Sequence, residues 1–202
     1  MGLSNFYDEN ALECGIDEAG RGSLMGRIYA GACIWSHDLE SPLVKDSKKF
    51  KNREEREKAY QFVIDNAIAW GSGFCEPAEI DKIGLGKANL CAMYRAIDNL
   101  DLDPSHIIVD GVVFSPYIDS KGSYPNYTTI VEGDNKYYSI AAASIIAKVE
   151  HDRYIRDLLI KYPDLSKYGL ETNMGYGTAP HMEAIKKYGI SQFHRQSFKC
   201  CK

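Results

Sequence analysis

Residues 12–22, Leu-Glu-Cys-Gly-Ile-Asp-Glu-Ala-Gly-Arg-Gly, limit what this chain can fold into more than any other stretch, because they set two adjacent carboxylates directly before a glycine-arginine-glycine turn. Leu12, Cys14 and Ile16 alternate with Glu13 and Gly15, the period of two that marks a strand, and the glycines flanking Arg21 free the backbone to turn and to approach a ligand closely. Asp17 and Glu18 then pose a geometric problem. Neighbours on a regular strand point to opposite faces, so both serve one site only if the strand ends or kinks here. Taken alone, the pair reads more simply as a solvated strand end before a surface turn. Residues 28–35, with Tyr29, Cys33 and Ile34, form a second β-rich run expected to pair back on the first as a hairpin.

A chain of 202 residues, 45% hydrophobic and 26% charged, can bury a real core, and one domain spanning 1–202 is expected, with a basic tail at about 190–202. No apolar run approaches the roughly 18 residues of a membrane span. Residues 1–6 lack the basic and apolar regions of a signal peptide, so a cytoplasmic setting is expected. Six cysteines show no zinc-ligand spacing, and four sit in apolar segments, as buried free thiols do in a reducing compartment. Cys200-Cys201 reads either as a redox pair or, more simply, as an accident of an exposed tail. The net charge of −4 argues against coating nucleic acid by bulk electrostatics, so a nucleic-acid partner requires local basic patches.

Further along, residues 45–51 read as a basic connection, ordinarily a solvated loop but also a candidate phosphate contact. Residues 52–66 place Glu54 and Glu55 in a first turn and Ala59, Phe62 and Val63 at helical spacing. A strand is expected at 68–75 and a helix at 87–100, with Leu90, Met93, Tyr94 and Ile97 on one face. Residues 106–111 are a near-continuous apolar run ending in Asp110-Gly111, a buried strand that delivers one carboxylate. Another strand, 127–131, runs into Gly133-Asp134. The longest helix follows at 136–161, its Ala141, Ala142, Ala143, Ser144 and Ala147 allowing close packing, until Pro163 stops it. A glycine-rich loop at 173–178 precedes a last helix at 180–188, with Thr178 as N-cap and Gly189 as stop.

Asp17 and Glu18, Asp110 and Asp134 therefore share one description: each sits where an apolar strand or strand-loop junction ends beside glycine. Four such groups cannot all stay ionised close together without cations, and oxygen ligands suit hard ions, Mg2+ or Mn2+. Two ions about 3.5–4 Å apart would serve phosphodiester cleavage, one generating the nucleophile and one stabilising the leaving oxygen. Four unrelated strand-end acids are the plainer alternative. The five histidines show no ligand spacing, no Gly-x-Ser-x-Gly is present, and neither Gly20-Arg21-Gly22 nor Gly84-Leu85-Gly86 completes a nucleotide-binding phosphate loop.

In combination, Asp17-Glu18-Ala19-Gly20-Arg21-Gly22, Asp46-Ser47-Lys48-Lys49, Val109-Asp110-Gly111, Gly133-Asp134, residues 139–149 and Gly175-Tyr176-Gly177-Thr178 resemble the ribonuclease HII family, over about residues 12–198. The resemblance implies an α/β, ribonuclease H-like fold: a central mixed β-sheet flanked by helices, with a helical C-terminal part. It also implies a metal-dependent endoribonuclease that hydrolyses the RNA strand of RNA/DNA hybrids and cuts 5′ of single ribonucleotides in duplex DNA, leaving 5′-phosphate and 3′-hydroxyl ends. Its alternatives are a hybrid-binding module with impaired catalysis and a different nuclease of the same superfamily. By the same resemblance, Asp17, Glu18, Asp110 and Asp134 would be the catalytic metal ligands, for Mg2+ or Mn2+.

Gly20, Arg21 and Gly22 would meet the ribonucleotide's 2′-hydroxyl, the group that separates RNA from DNA at one nucleotide. Tyr176 would pack on the next deoxyribose, and Lys48 and Arg195 would lie near the substrate backbone. The implied partners are RNA/DNA hybrid and ribonucleotide-containing duplex DNA, with no membrane, a monomeric state and an unidentified replication or repair partner. Ser23 and Arg27 stand where the family commonly has prolines, Met174 replaces a frequent lysine, and Gln196 replaces an arginine. The lost basic groups bear on duplex affinity. The related type HIII enzymes carry an extra N-terminal domain and a glutamate as the fourth acid, whereas position 134 here is Asp.

Overall fold

The computed structural model describes residues 2–202. The apolar strands build one five-stranded mixed sheet in the order β3-β2-β1-β4-β5. The opening hairpin forms as expected, β1 (Glu13–Ala19) pairing antiparallel with β2 (Ile28–Ile34), and β3 (Ala69–Cys75) extends it antiparallel. On the other side of β1, β4 (His106–Asp110) and then β5 (Asn126–Ile130) run parallel. Their parallel sense matters for function, because β1 and β4 deliver their C-terminal ends, and the acids there, to one edge of the sheet. Helix α1 (Arg53–Asn66) is N-capped by Asn52, whose side chain accepts from the Glu55 N–H at 2.9 Å.

Small residues decide how closely the layers meet. A Cβ on Gly15 would lie 2.2 Å from the Ser139 carbonyl carbon, and one on Gly31 would lie 2.3 Å from the Ala143 oxygen. The long helix α4 (Tyr138–Lys161) therefore rests directly on the backbone of β1 and β2, Gly15 meeting the helix backbone at Ser139 and Ile140 and Gly31 meeting it at Ala143 and Ala147. On the opposite face, α3 (Leu85–Asp98) approaches Gly71 and Gly73 through the Ala96 and Ala92 carbonyls. Cys14, Ile16 and the β2 residues Ile28, Ala30, Ala32 and Ile34 pack toward α3, while Cys33 packs toward α4.

Several local details differ from the expectations. A short helix, α2 (Pro77–Ile83), precedes α3, built on a Glu76–Glu79 capping box with Pro77 in its first turn and ended by Gly84 at φ 84°. Beyond α4, a 3-10 segment (Pro163–Tyr168) and α5 (Leu170–Asn173) carry the chain back to the loop that follows β1, which Gly175 and Tyr176 meet before α6 (Ala179–Tyr188). Thr178 occupies the N-cap position of α6, but its side chain makes no cap hydrogen bond. The C-terminal tail is anchored, with His194 and Arg195 buried beneath the first loop. Cys201 is buried as well, its thiol pushed up to about 12 by that burial, which overturns the exposed-tail reading of Cys200-Cys201. All six cysteines are free, and among the described residues no helix is long and apolar enough to cross a membrane.

Candidate active site

Three of the four expected acids converge. Asp17, Asp110 and Asp134 each offer a carboxylate oxygen within 4.8 Å of the others. Asp17 and Asp110 meet because Ile16 and Val109 are the last paired residues of the parallel β1–β4 ladder, and the next residue on each strand is the aspartate. Asp134 arrives from the 3-10 turn Gly133–Asn135, which joins β5 to α4. That turn is fastened to the cluster, since the Gly133 N–H donates to Asp110 Oδ1 at 2.7 Å. Glu132 before it takes the left-handed region at φ 54°.

Glu18 does not join this trio. The strand neither kinks nor ends at Asp17, and its pairing with β2 continues to Ala19, so the alternation rule holds. Asp17 lies on the α4 face with Gly15, whereas Glu18 lines a cleft of about 250 Å3 with Arg21, Gly86, Asn89 and Asp110 on the α3 side. The two neighbours thus flank Asp110 from opposite faces. Arg21 holds Glu18 at 3.7 Å.

Charge repulsion is written into the cluster. Burial, and after it the nearby Asp110 and Glu18, raise the Asp17 carboxyl well above the usual carboxylate range. Burial, then Asp46 and Asp110, lift Asp134 to about 6. Glu18 is raised in the same way, by burial ahead of Asp110, with Arg21 opposing. One cation partly offsets this: Lys48 Nζ lies 3.7 Å from Asp134 Oδ2. Burial lowers the Lys48 ammonium, but the summed attraction of Asp134, Asp17, Asp46 and Asp110 holds it above its ordinary value. Crowded carboxylate oxygens offset by a single lysine are the donor set that hard divalent ions satisfy, so the residues present fit Mg2+ or Mn2+.

Beside the acids, the glycine-arginine loop is locked from below by the residue whose assignment changes most. Arg195 is expected near the substrate backbone, yet it is 0% exposed. Its guanidinium donates to the carbonyls of Gly20 (2.7 Å), Arg21 (2.9 Å), Gly26 (2.9 Å) and Arg27 (2.9 Å). The fork geometry of guanidinium suits this task, and burial pulls its pKa down to about 10. Arg195 therefore shapes the loop, and its place as a phosphate contact is corrected.

From the other side, Tyr176 closes on the same loop. Its hydroxyl accepts from the Gly20 N–H at 3.1 Å, and the Gly175 carbonyl accepts from the Leu24 N–H at 2.8 Å. Gly20, at φ 78°, is where a glycine is required, because a Cβ there would lie 2.3 Å from His151 Cδ2. Gly22 has open space, and with the Arg21 side chain it faces solvent. The Tyr176 ring is half-buried, with the His151 ring 5.7 Å away and Lys148 Nζ 5.3 Å above it.

Sequence reasoning passed over Asp46, which is buried close to Asp134 and caps its own turn by accepting from the Lys48 N–H at 2.9 Å. The Asp-Ser-Lys-Lys pattern was the available signal, but its lysines drew attention to phosphate. His151, His181 and His194 are all buried around the Tyr176 loop, and their spacing carries no signal of it. Two departures also acquire a setting. Ser23 Oγ lies 3.4 Å from His151 Nε2, and Arg27 pairs with Glu76 at 2.6 Å while stacking on Phe74 and Tyr154.

Comparison with known proteins gives a consistent result. The family model described as Ribonuclease HII matches residues 14–201. A ribonuclease HII from Parabacteroides distasonis is 42% identical over 196 residues, covering 97% of this chain and 94% of its own length. Among solved structures, the ribonuclease H2 of Pyrococcus horikoshii OT3 superposes with a TM-score of 0.75 at 27% identity, covering 94% of both chains. The ribonuclease HII of Archaeoglobus fulgidus, solved in complex with PCNA, does so with a TM-score of 0.68 at 26% identity, covering 93% of this chain and 95% of that one.

Proposed function

The chain belongs to the ribonuclease HII family, and on that premise we propose that it cuts duplex DNA on the 5′ side of a single embedded ribonucleotide, using two divalent ions held by Asp17, Glu18, Asp110 and Asp134. As a family member it is an endoribonuclease acting on the RNA strand of RNA/DNA hybrids, in a family that uses divalent metals. The alternative of a different superfamily nuclease falls away with that membership, and the four retained acids speak against a catalytically impaired binding module. The observation that carries the finer reading is the convergence of Asp17, Asp110 and Asp134 beside the braced Gly20-Arg21-Gly22 loop.

Bound at the acids, Mg2+ or Mn2+ supplies the positive charge that activates water and offsets the charge growing on the phosphate and the leaving oxygen. The protein's own part is positioning. Asp17, Asp110 and Asp134 form the core of the ligand set, and Glu18 completes it from the α3 side. Lys48 neutralises part of the cluster while it waits and is poised at its rim to meet the substrate backbone. Gly20 spends its N–H on Tyr176 and its carbonyl on Arg195, and the Arg21 carbonyl is also held by Arg195, so reading of the 2′-hydroxyl falls chiefly to the Arg21 N–H and the backbone of Gly22 at the exposed tip. The Tyr176 ring packs on the deoxyribose that follows, its hydroxyl proton free for a phosphate because the oxygen accepts from Gly20. Hydrolysis then leaves 5′-phosphate and 3′-hydroxyl ends. A monomer in the cytoplasm is the proposed working form, and a replication partner is proposed by analogy with the PCNA complex of the archaeal relative.

The test is purified protein on a DNA duplex carrying one ribonucleotide, beside a continuous hybrid, with Mg2+, Mn2+ or chelator. One cut 5′ of the ribonucleotide, abolished by chelation, is expected. Cleavage of the hybrid alone would defeat the finer reading, and cleavage surviving chelation would defeat the metal assignment.

A further inference from the structure

Two buried histidines that catalysis does not use connect the C-terminal tail to the Tyr176 loop. His181, on α6, and His194, in the tail, are 0% and 1% exposed, and their Nε2 atoms lie 3.2 Å apart. Elementary hydrogen-bond chemistry fixes the protons of the pair. The Ser191 backbone N–H donates to His194 Nδ1 at 2.9 Å, so that nitrogen is bare and the neutral ring carries its proton on Nε2. His181 Nδ1 lies 3.0 Å from the Tyr176 carbonyl oxygen, which can only accept, so that ring carries its proton on Nδ1 and leaves Nε2 bare. The facing nitrogens are then one donor and one acceptor. A single directed chain results, from Ser191 N–H through His194 and His181 to the Tyr176 carbonyl.

Its surroundings hold it neutral and in place. The Tyr168 ring packs edge-on at 4.7 Å from the His194 ring and tilted at 5.8 Å from that of His181, with its hydroxyl tied to the Gly189 carbonyl at 2.8 Å. Burial, and then the neighbouring His181, lower His194 to about 4, and burial lowers His181. Immediately after His194, Arg195 braces the carbonyls of Gly20 and Arg21. Consecutive tail residues thus hold the two halves of the recognition surface, one the glycine-arginine loop and the other the tyrosine loop.

We propose that His181 and His194 are positioning residues that set the enzyme's preference for a ribonucleotide followed by deoxyribose, by fixing the Tyr176 backbone so that its ring stands over that sugar. The inference rests on the reading of Tyr176 given above. Besides the chain, the Tyr176 carbonyl accepts from the Thr178 N–H at 2.9 Å, a bond within its own loop. Losing the chain removes its tie to α6 and the tail and lets the ring move from its place, so the loss falls on substrate discrimination rather than on the chemical step. An Asn at 181 can keep a donor at the Nδ1 position, whereas a Phe fills the space with none.

Selectivity is read as the ratio of kcat/KM on a single-ribonucleotide duplex to that on a continuous hybrid. Tyr176→Ala, H181F and H181N are measured with the parent. We expect Tyr176→Ala and H181F each to lower the ratio by about fivefold or more, the effect of losing a stacking platform, with H181N restoring most of it and both His181 variants keeping kcat on the hybrid. An unchanged ratio in Tyr176→Ala overturns the reading of Tyr176 and the inference with it. An unchanged ratio in folded H181F, beside a selective Tyr176→Ala, overturns the inference alone. If H181F fails to fold, imidazole nitrogen NMR of the unmodified protein decides: Nε2–H on His194 and Nδ1–H on His181 at neutral pH support the chain, and the opposite tautomers or a charged ring overturn it.

Discussion

The acidic cluster and the glycine-arginine loop sit side by side, yet they are built on opposite principles. Around Asp17, Asp110 and Asp134, like charges are crowded into a buried corner, and one lysine at 3.7 Å is a partial remedy. At Gly20 both backbone groups have partners, Tyr176 on the amide and Arg195 on the carbonyl, and the His151 ring fills the space a Cβ would take. On the function proposed above, the first region is finished only when cations arrive. The second is assembled before any substrate does. Frustrated charge is what makes a site take up ions, whereas discrimination of one 2′-hydroxyl needs a surface whose shape is already fixed.

Substitutions in the two regions should therefore move opposite quantities. Asp17→Asn and Asp134→Asn are expected to remove nearly all cleavage, since each amide keeps the shape but loses the ligand charge. Metal-free melting should be unchanged or raised, because a like charge has gone. Either variant retaining substantial metal-dependent activity would remove that residue from the ligand set. Arg195→Met should do the reverse to folding, costing about 3 kcal/mol or more, because the carbonyls it served are left buried and unpaired. Denaturant unfolding measures this, and a loss below about 1 kcal/mol would show that the loop is braced by other groups. Arg195→Lys should fall between, since one ammonium cannot reproduce the fork.

The strands and the long helix were legible because their signals are local. The apolar run before Asp110 and the alternation before Asp17 needed no partner to be recognised, and α1 announced itself through its acidic first turn and the helical spacing of Ala59, Phe62 and Val63. The parallel register that puts Asp17 beside Asp110 was less visible, because pairing depends on residues about ninety positions apart and on the α3 and α4 glycine contacts. Arg195 shows where such reading fails. A basic residue in a basic tail looks like a phosphate contact, and nothing near it in sequence reveals that its partners are carbonyls of residues 20–27. The His181–His194 pair was equally hidden, since thirteen residues of separation match no ligand spacing.

Smaller effects sharpen the contrast within the loop itself. Gly20→Ala meets both a positive φ and the His151 ring, so it should destabilise by about 1–3 kcal/mol, whereas Gly22→Ala, with open space, should leave folding nearly unchanged. Comparable melting losses in both would mean that the loop is not latched at Gly20. At Tyr176, removing the whole ring with Ala should lose about 1–3 kcal/mol of binding on the single-ribonucleotide duplex. Phe keeps the platform but strands the Gly20 N–H, so its loss should be about 1 kcal/mol. Equal losses for the two variants would assign the function of Tyr176 to its hydroxyl.

The claim beneath all of this is that the acids repel one another until divalent ions bind, and metal-linked melting of the parent beside Asp134→Asn tests it most directly. Asp134 is raised to about 6 in the fold, so as pH climbs from about 4 to about 6 the unfolded chain has given up this proton while the native state still largely holds it. Stability from this group must then fall with rising pH, the reverse of an ion-paired carboxylate. Without metal, the parent's melting temperature should drop relative to the variant across that window and level off above it. At pH 8, added Mn2+ should raise the parent strongly and the variant little, by mass action on the native state. A parent that gains stability over the variant as pH rises, or an equal Mn2+ response in both proteins, would contradict the account.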